Sequence, residues 1–80
     1  GTARGYSGMI FQTQTSIYCM ELKVDQNAEK SISQIIAKGY LEPYLPTGKR
    51  LVMIGVNFSI ATRNITEWVE RDFIKGNTCP

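Results

Sequence analysis

Histidine is absent from the 80 residues. That one absence excludes imidazole general bases, His metal ligands and Ser-His-Asp triads together. Carboxyl, lysine, tyrosine and thiol groups remain as the available chemistry. Cysteine is scarce: Cys19 lies in an apolar run and Cys79 is the penultimate residue. Such a pair suits neither a zinc site nor a disulfide framework, and points to a reducing, cytoplasmic setting. An excess of one charge is lacking too. Nine Lys and Arg against seven Asp and Glu leave +2, too weak to attract nucleic acid or an anionic membrane by bulk field. Any polyanion contact must come from a local patch. No apolar run reaches the ~18–20 residues of a membrane span and no signal-peptide pattern is present, so no membrane partner is expected.

The length bounds what remains. Eighty residues make one domain over 1–80 and exclude a two-domain enzyme. A chain of this size buries only roughly 60–65% of its unfolded surface, so its core is small and a homodimer is the expected assembly. The opening Gly1-Thr2 without methionine suggests a piece of something longer.

From Ser7 to Val24 the β-branched, aromatic, Gln and Thr residues carry no charge before Glu21, which predicts two strands, Met9–Gln14 and Ile17–Val24, joined as a hairpin. Alternation puts Ile17, Cys19, Glu21 and Lys23 on one face of the second strand and Tyr18, Met20, Leu22 and Val24 on the other. With apolar residues on both faces, this strand is expected to be central. Asp25-Gln26-Asn27 supplies cap residues, and Ala28, Ile32, Ile35, Ile36 and Tyr40 then recur at helical spacing, predicting a helix over Asn27–Tyr40. Pro43 and Pro46 bar its continuation, so Leu41–Gly48 is read as a connection. Leu51–Phe58 is nearly unbroken apolar and reads as a strand buried on both faces, paired in parallel after the crossover helix. Ile65–Phe73 alternates as a strand, a short helix being the other reading, and Ile74–Pro80 is expected to be a frayed tail. The fold class is α/β or α+β, with hairpin, helix, strand and strand forming a mixed sheet.

Glu21-Leu22-Lys23 is the triplet that carries chemistry. Residues two apart on a strand share a face, so a carboxyl and an ammonium project side by side just before a helix. Such a pair can hold a hard cation such as Mg²⁺ and orient the attacking water of a hydrolysis, although it is also the pattern of an ordinary ion pair. Cys19 reads as a small core residue and Trp68 as a packing anchor. Lys49 and Arg50 are candidates for a phosphate contact, or else a solvated turn.

The segments Tyr18–Asp25, Gln34–Tyr40, Leu41–Tyr44, Ile54–Ser59 and Thr62–Trp68 together resemble the PD-(D/E)xK nuclease superfamily. More narrowly, they resemble the nuclease-like domain that ends bacterial proteins beginning with a predicted AAA-type ATPase, common in gut Bacteroidetes. The resemblance runs from about Gly5 to Arg71. It implies a restriction-endonuclease-like core shortened at its N-terminus, DNA as partner, an ATPase-like domain in a longer parent, and Mg²⁺, replaceable by Mn²⁺, as cofactor. Carried across, Glu21 matches the family's acidic metal ligand and Lys23 its lysine. Gln34 and Tyr40 match a glutamine and a tyrosine on its helix, giving Glu21, Lys23, Gln34 and Tyr40 as the catalytic set. The family's other metal-binding aspartate should stand about thirteen residues before Glu21, where this chain has Gly5-Tyr6-Ser7-Gly8. Gly8 occupies that position, and Gln12 the place where a further acid often follows. The resemblance therefore implies a nuclease-like domain with an incomplete metal site and no cofactor if inactive, unless Asp25, Gln12, Gln14 or a second chain supplies the missing ligand.

Overall fold

The computed structural model describes residues 8–74. Gly5-Tyr6-Ser7, the tail from 75 to 80 and Cys79 lie outside the described residues. The elements run β1 (Gly8–Gln12), β2 (Ser16–Val24), α1 (Ala28–Lys38), a 3-10 helix (Glu42–Thr47), β3 (Arg50–Ser59) and β4 (Asn64–Asp72). The four strands form one sheet in the order β1-β2-β3-β4. β1 and β2 are antiparallel, β2 and β3 parallel, β3 and β4 antiparallel. This is the hairpin, helix, strand and strand arrangement expected from sequence, with β2 central. The helical alternative for Ile65–Phe73 is excluded, because those residues build an edge strand.

Local chemistry sets the boundaries. The hairpin turns without glycine because Thr13 does the work of a turn residue: its Oγ1 accepts from the backbone N–H groups of Thr15 and Ser16 at 3.3 and 3.0 Å. α1 starts at Asn27, whose side chain accepts from the Lys30 N–H at 2.9 Å. It stops at Gly39, which adopts φ 67° and donates to the Ile36 carbonyl. The helix is therefore shorter than the expected Asn27–Tyr40. Gly39 ends it, and Tyr40 lies beyond the cap. Leu41–Gly48 is more ordered than a connection, since a 3-10 turn tolerates Pro43 at its start, where no N–H partner is needed.

The two sheet faces differ. α1 covers the face carrying Ile17, Cys19, Leu51 and Met53, and Ile32, Ile35, Leu41 and Phe73 complete that core. The opposite face has no helix over it among the described residues. There Val52 and Val56 are buried, which bears out the reading of β3 as apolar-lined on both sides, while Met9, Phe11, Leu22 and Val24 are exposed. Trp68 is 64% exposed on that face and anchors no packing, contrary to the sequence reading. A register shift at Asn57/Phe58 turns β4 so that Ile65 faces Phe58, leaving Ile65 exposed too. No helix among the described residues is long and apolar enough to cross a membrane.

The depth at which α1 sits is set by Gly55. A Cβ there would lie 2.5 Å from the Ala28 carbonyl oxygen and 2.9 Å from the Ser31 Cβ. Backbone cannot yield cheaply, so Gly55→Ala is expected to cost about 3 kcal/mol by forcing helix and sheet apart. In urea unfolding the midpoint should fall by about 2 M. Gly48→Ala, with φ 75° and no atom within 4 Å, should lose only about 1–2 kcal/mol from its left-handed backbone. Equal losses at the two positions would contradict the close helix approach.

Candidate functional site

Glu21 and Lys23 point to the helix-covered face of β2, as alternation predicts. Register then decides what surrounds Glu21. Its Cα partner on β1 is Gly8 and its Cα partner on β3 is Gly55, so the carboxyl stands between two positions that have no side chain. α1 closes over the Gly55 side. On the other, the Tyr40 ring presses against Gly8: a Cβ on Gly8 would lie 2.9 Å from Tyr40 Cε2 and 3.4 Å from Glu21 Oε1. Glu21 is 0% exposed.

Lys23 has a different environment. Its strand partner is Asn57, it is half-buried, and its Nζ donates to Gln34 Oε1 on α1 at 2.5 Å. The structure thus brings together all four residues singled out from sequence, in two pairs: Glu21 beside Tyr40 across Gly8, and Lys23 with Gln34. The position where the resemblance expects an aspartate faces the Glu21 carboxyl directly. A side chain there would fit only if the Tyr40 ring moved aside.

The donor set can be tested against a hard divalent cation. Mg²⁺ is held by one or two carboxylates and keeps several waters. At Glu21 the strand neighbours supply glycines, the carboxyl is wholly shielded, and no group of three His, Cys, Asp or Glu that could hold a metal occurs among the described residues. As folded, the described residues around Glu21 offer a hard cation one carboxyl set between two glycines. The stand-ins considered from sequence lie elsewhere. Asp25 adopts φ 54° and its Oδ1 accepts from the Ile60 N–H at 3.2 Å, holding the loop after β3. Gln12 pairs with Ile17 at the far end of the hairpin and accepts from Lys49 Nζ at 3.3 Å, and Gln14 is exposed in the turn.

The basic residues first suspected of phosphate contact are engaged in holding strand ends. Lys49 Nζ also donates to the Thr13 carbonyl at 3.0 Å, and Arg50 is ion-paired with Asp72 at 2.9 Å. The Asp72 partner holds the Arg50 guanidinium above its ordinary pKa.

Sequence reasoning missed the residues that fix the helix against the strand ends. The Asn57 Oδ1 accepts from the Gln26 N–H at 2.8 Å, and its Nδ2 donates to Thr66 Oγ1 at 3.0 Å. From β4, Glu67 Oε1 accepts from the Ala28 N–H at 2.8 Å, satisfying a donor in the first turn of α1. Two residues further along the same face as Val69, Arg71 grips Glu29 with both Nη atoms, at 2.8 and 2.7 Å. That bidentate contact holds the Glu29 carboxyl below its ordinary pKa and the Arg71 guanidinium above it. A polar residue interrupting the apolar run of β3, and charges on the inward phase of β4, were the available signals.

A four-strand mixed sheet with one crossover helix, carrying Glu21 and Lys23 on the helix-covered face of β2, makes this a small α+β domain of the kind a restriction-endonuclease-like core has. The family model of the PD-(D/E)XK nuclease superfamily matches residues 1–68, and the chain belongs to that superfamily. No curated protein and no solved structure matches it.

Cys19 shares the inward face with Glu21, and its thiol is pushed up to about 11, first by burial and then by the negative carboxyl of Glu21. It is a core thiol, not a nucleophile. As pH rises, an unfolded thiol begins to lose its proton near the ordinary 9.0 while the folded thiol keeps its own up to about 11. The unfolded state therefore holds fewer protons in that window, and stability should fall across it and level off above. Cys19→Ala should show a shallower decline between pH 9 and 11 in urea titrations than the parent chain. Parallel curves would remove the thiol as the cause.

Proposed function

We propose that this chain is a PD-(D/E)XK domain that keeps the nuclease fold without the metal-dependent cleavage, and serves as a non-catalytic binding module. The observation that carries the reading is the Gly8–Glu21 pairing: the strand position facing the Glu21 carboxyl bears no side chain, and the Tyr40 ring lies against it. A single carboxyl closed off by α1 and the Tyr40 ring offers a dication one anionic ligand and little room for its waters. The resemblance also supports placing the domain beside an ATPase-like domain in a longer parent of Bacteroidetes type, with DNA as the natural partner class.

A second reading is favoured by what is retained. Glu21 and Lys23 still share a face and Gln34 still orients the lysine, which supports an active Mg²⁺-dependent endonuclease with Mn²⁺ as substitute, provided that a ligand comes from elsewhere.

One experiment decides between them. Supercoiled plasmid is incubated with the chain and Mg²⁺ or Mn²⁺, and cation binding is followed by calorimetry. No nicking and no heat of binding are expected from the parent chain. Gly8→Asp supplies the second carboxylate and is expected to tighten Mn²⁺ binding by about tenfold or more, because affinity for hard cations follows the ligand charge count. Nicking by the parent chain that disappears in Glu21→Ala and in Lys23→Ala would overturn the non-catalytic reading. A Gly8→Asp chain that folds without gaining affinity would show that residue 8 is not the missing ligand.

A further inference from the structure

The sheet face opposite α1 carries a continuous apolar surface. Register lines it up in rows across the strands: Met9, Met20 and Ile54 share one, and Leu22, Val56 and Trp68 the next. Val52 and Val56 lie buried in its middle, while Met9, Phe11, Leu22, Val24, Ile65 and Trp68 stand exposed around them. Those six side chains leave on the order of 600 Å² of apolar area in solvent, the upper end of what a monomer ordinarily shows. The half-buried Tyr18, Met20, Ile54 and Phe58 extend it toward the roughly 800 Å² that each partner of a stable complex buries.

No segment of this chain outside the sheet has an apolar strip to lay across that face. α1 and the 3-10 helix spend their apolar residues on the other side, and residues 1–7 and 75–80 contain no Leu, Ile, Val, Met, Phe or Trp. The same face of a second copy is both flat and apolar. Charge then sorts the ways in which two copies can meet. The acids of this face, Glu70 and Asp72, both lie on the edge strand β4. Asp72 is ion-paired with Arg50, whereas Glu70 makes no ion pair among the described residues. A two-fold axis along the strands would lay β4 over β1 and press Glu70 on Met9, burying an acid against an apolar side chain. An axis across the strands lays β4 over β4 in opposite directions. Glu70 of one copy then meets Trp68 of the other, twice by symmetry. The Trp68 indole N–H, which has no hydrogen-bond partner among the described residues, gains a carboxylate acceptor there.

We infer that this chain forms a two-fold dimer by packing its uncovered sheet face on the same face of a second copy, β4 over β4, with Trp68 and Glu70 paired across the axis. Two sheets packed in this way stand about 10 Å apart and about 30° askew. Side chains of the Leu22 and Val24 rows interdigitate between them, which gives a chain with a small core a second apolar layer. Glu21 and Lys23 lie on the helix-covered face, so the dimer leaves them untouched and holds whether or not the domain cleaves nucleic acid.

Sedimentation equilibrium of the intact chain tests the dimer. A mass twice 9.0 kDa is expected, with a dissociation constant on the order of 10 µM or tighter. Trp68 is the sole tryptophan, so its emission should move to the blue and resist acrylamide quenching as concentration rises through that constant. The urea midpoint should rise with concentration as well. Leu22→Lys/Ile65→Lys, at positions exposed in the single copy, should raise the dissociation constant at least about a hundredfold, with circular dichroism showing the fold retained. Lys30→Glu/Lys38→Glu, on the exposed side of α1, should leave the dimer mass unchanged. Trp68→Phe and Glu70→Ala should each weaken association about tenfold, and the double variant no more than either, because each removes one end of the same contact. A parent chain that stays monomeric up to roughly 1 mM, a urea midpoint independent of concentration, or a dimer unaffected by the double Lys variant would overturn the interface. Additive losses at Trp68 and Glu70 would overturn the β4-over-β4 arrangement.

Discussion

The structure depends on how closely α1 can lie against the sheet, and Gly55 permits that approach. With no Cβ on β3 at this point, the first turn of the helix comes to within contact of the strand backbone, and Ser31 Oγ donates to the Val56 carbonyl at 3.3 Å. A helix held that deep buries Ile32 and Ile35 against Ile17, Leu51 and Met53, in a chain with little apolar area to spare. It also shuts Glu21 from solvent, because Gly55 is that residue's strand neighbour. One missing methyl group therefore sets both the packing and the accessibility of the most chemically informative side chain.

From that depth the Glu21–Lys23 pair takes on two unlike environments. The carboxyl is enclosed between glycines, under helix and tyrosine ring, where a charge is costly unless solvated by neighbours. The ammonium two residues on emerges at the rim and meets Gln34. A shared face does not amount to a shared role. Alternation along a strand says only that two side chains leave on the same side, while the elements packed over that side decide which of them meets solvent. Asn57, Glu67 and Arg71 hold those elements still: they tie the β2–α1 turn and the helix start to the two following strands by backbone and charge-assisted hydrogen bonds.

Much of this was legible in the sequence because it is local. The apolar run of β3, the alternation of β2 with Cys19 and Glu21 inward, and the Asn27 cap each follow from short-range periodicity or capping chemistry. The strand set and the sheet's mixed pairing came through accordingly. What failed depends on contacts between distant residues. Trp68 alternates correctly with its neighbours, but nothing in β4 tells that its face lacks a covering helix among the described residues. The end of α1 at Gly39 does not show in the sequence, because a left-handed cap and an interior glycine look alike in a string of letters. The pressing of Tyr40 on Gly8 joins residues 32 apart in number, and neither residue's neighbours encode it. The grip of Arg71 on Glu29 is likewise invisible until the register of β3 and β4 is known.

The Gly8 position shows why register carries more weight here than composition. An aspartate placed there in an antiparallel partner would bring its carboxyl against that of Glu21, two like charges that tolerate each other only with a cation between them. Glycine removes the repulsion along with the reason for a cation. The freed space is taken by an aromatic ring, which supplies apolar contact at the price of closing the site.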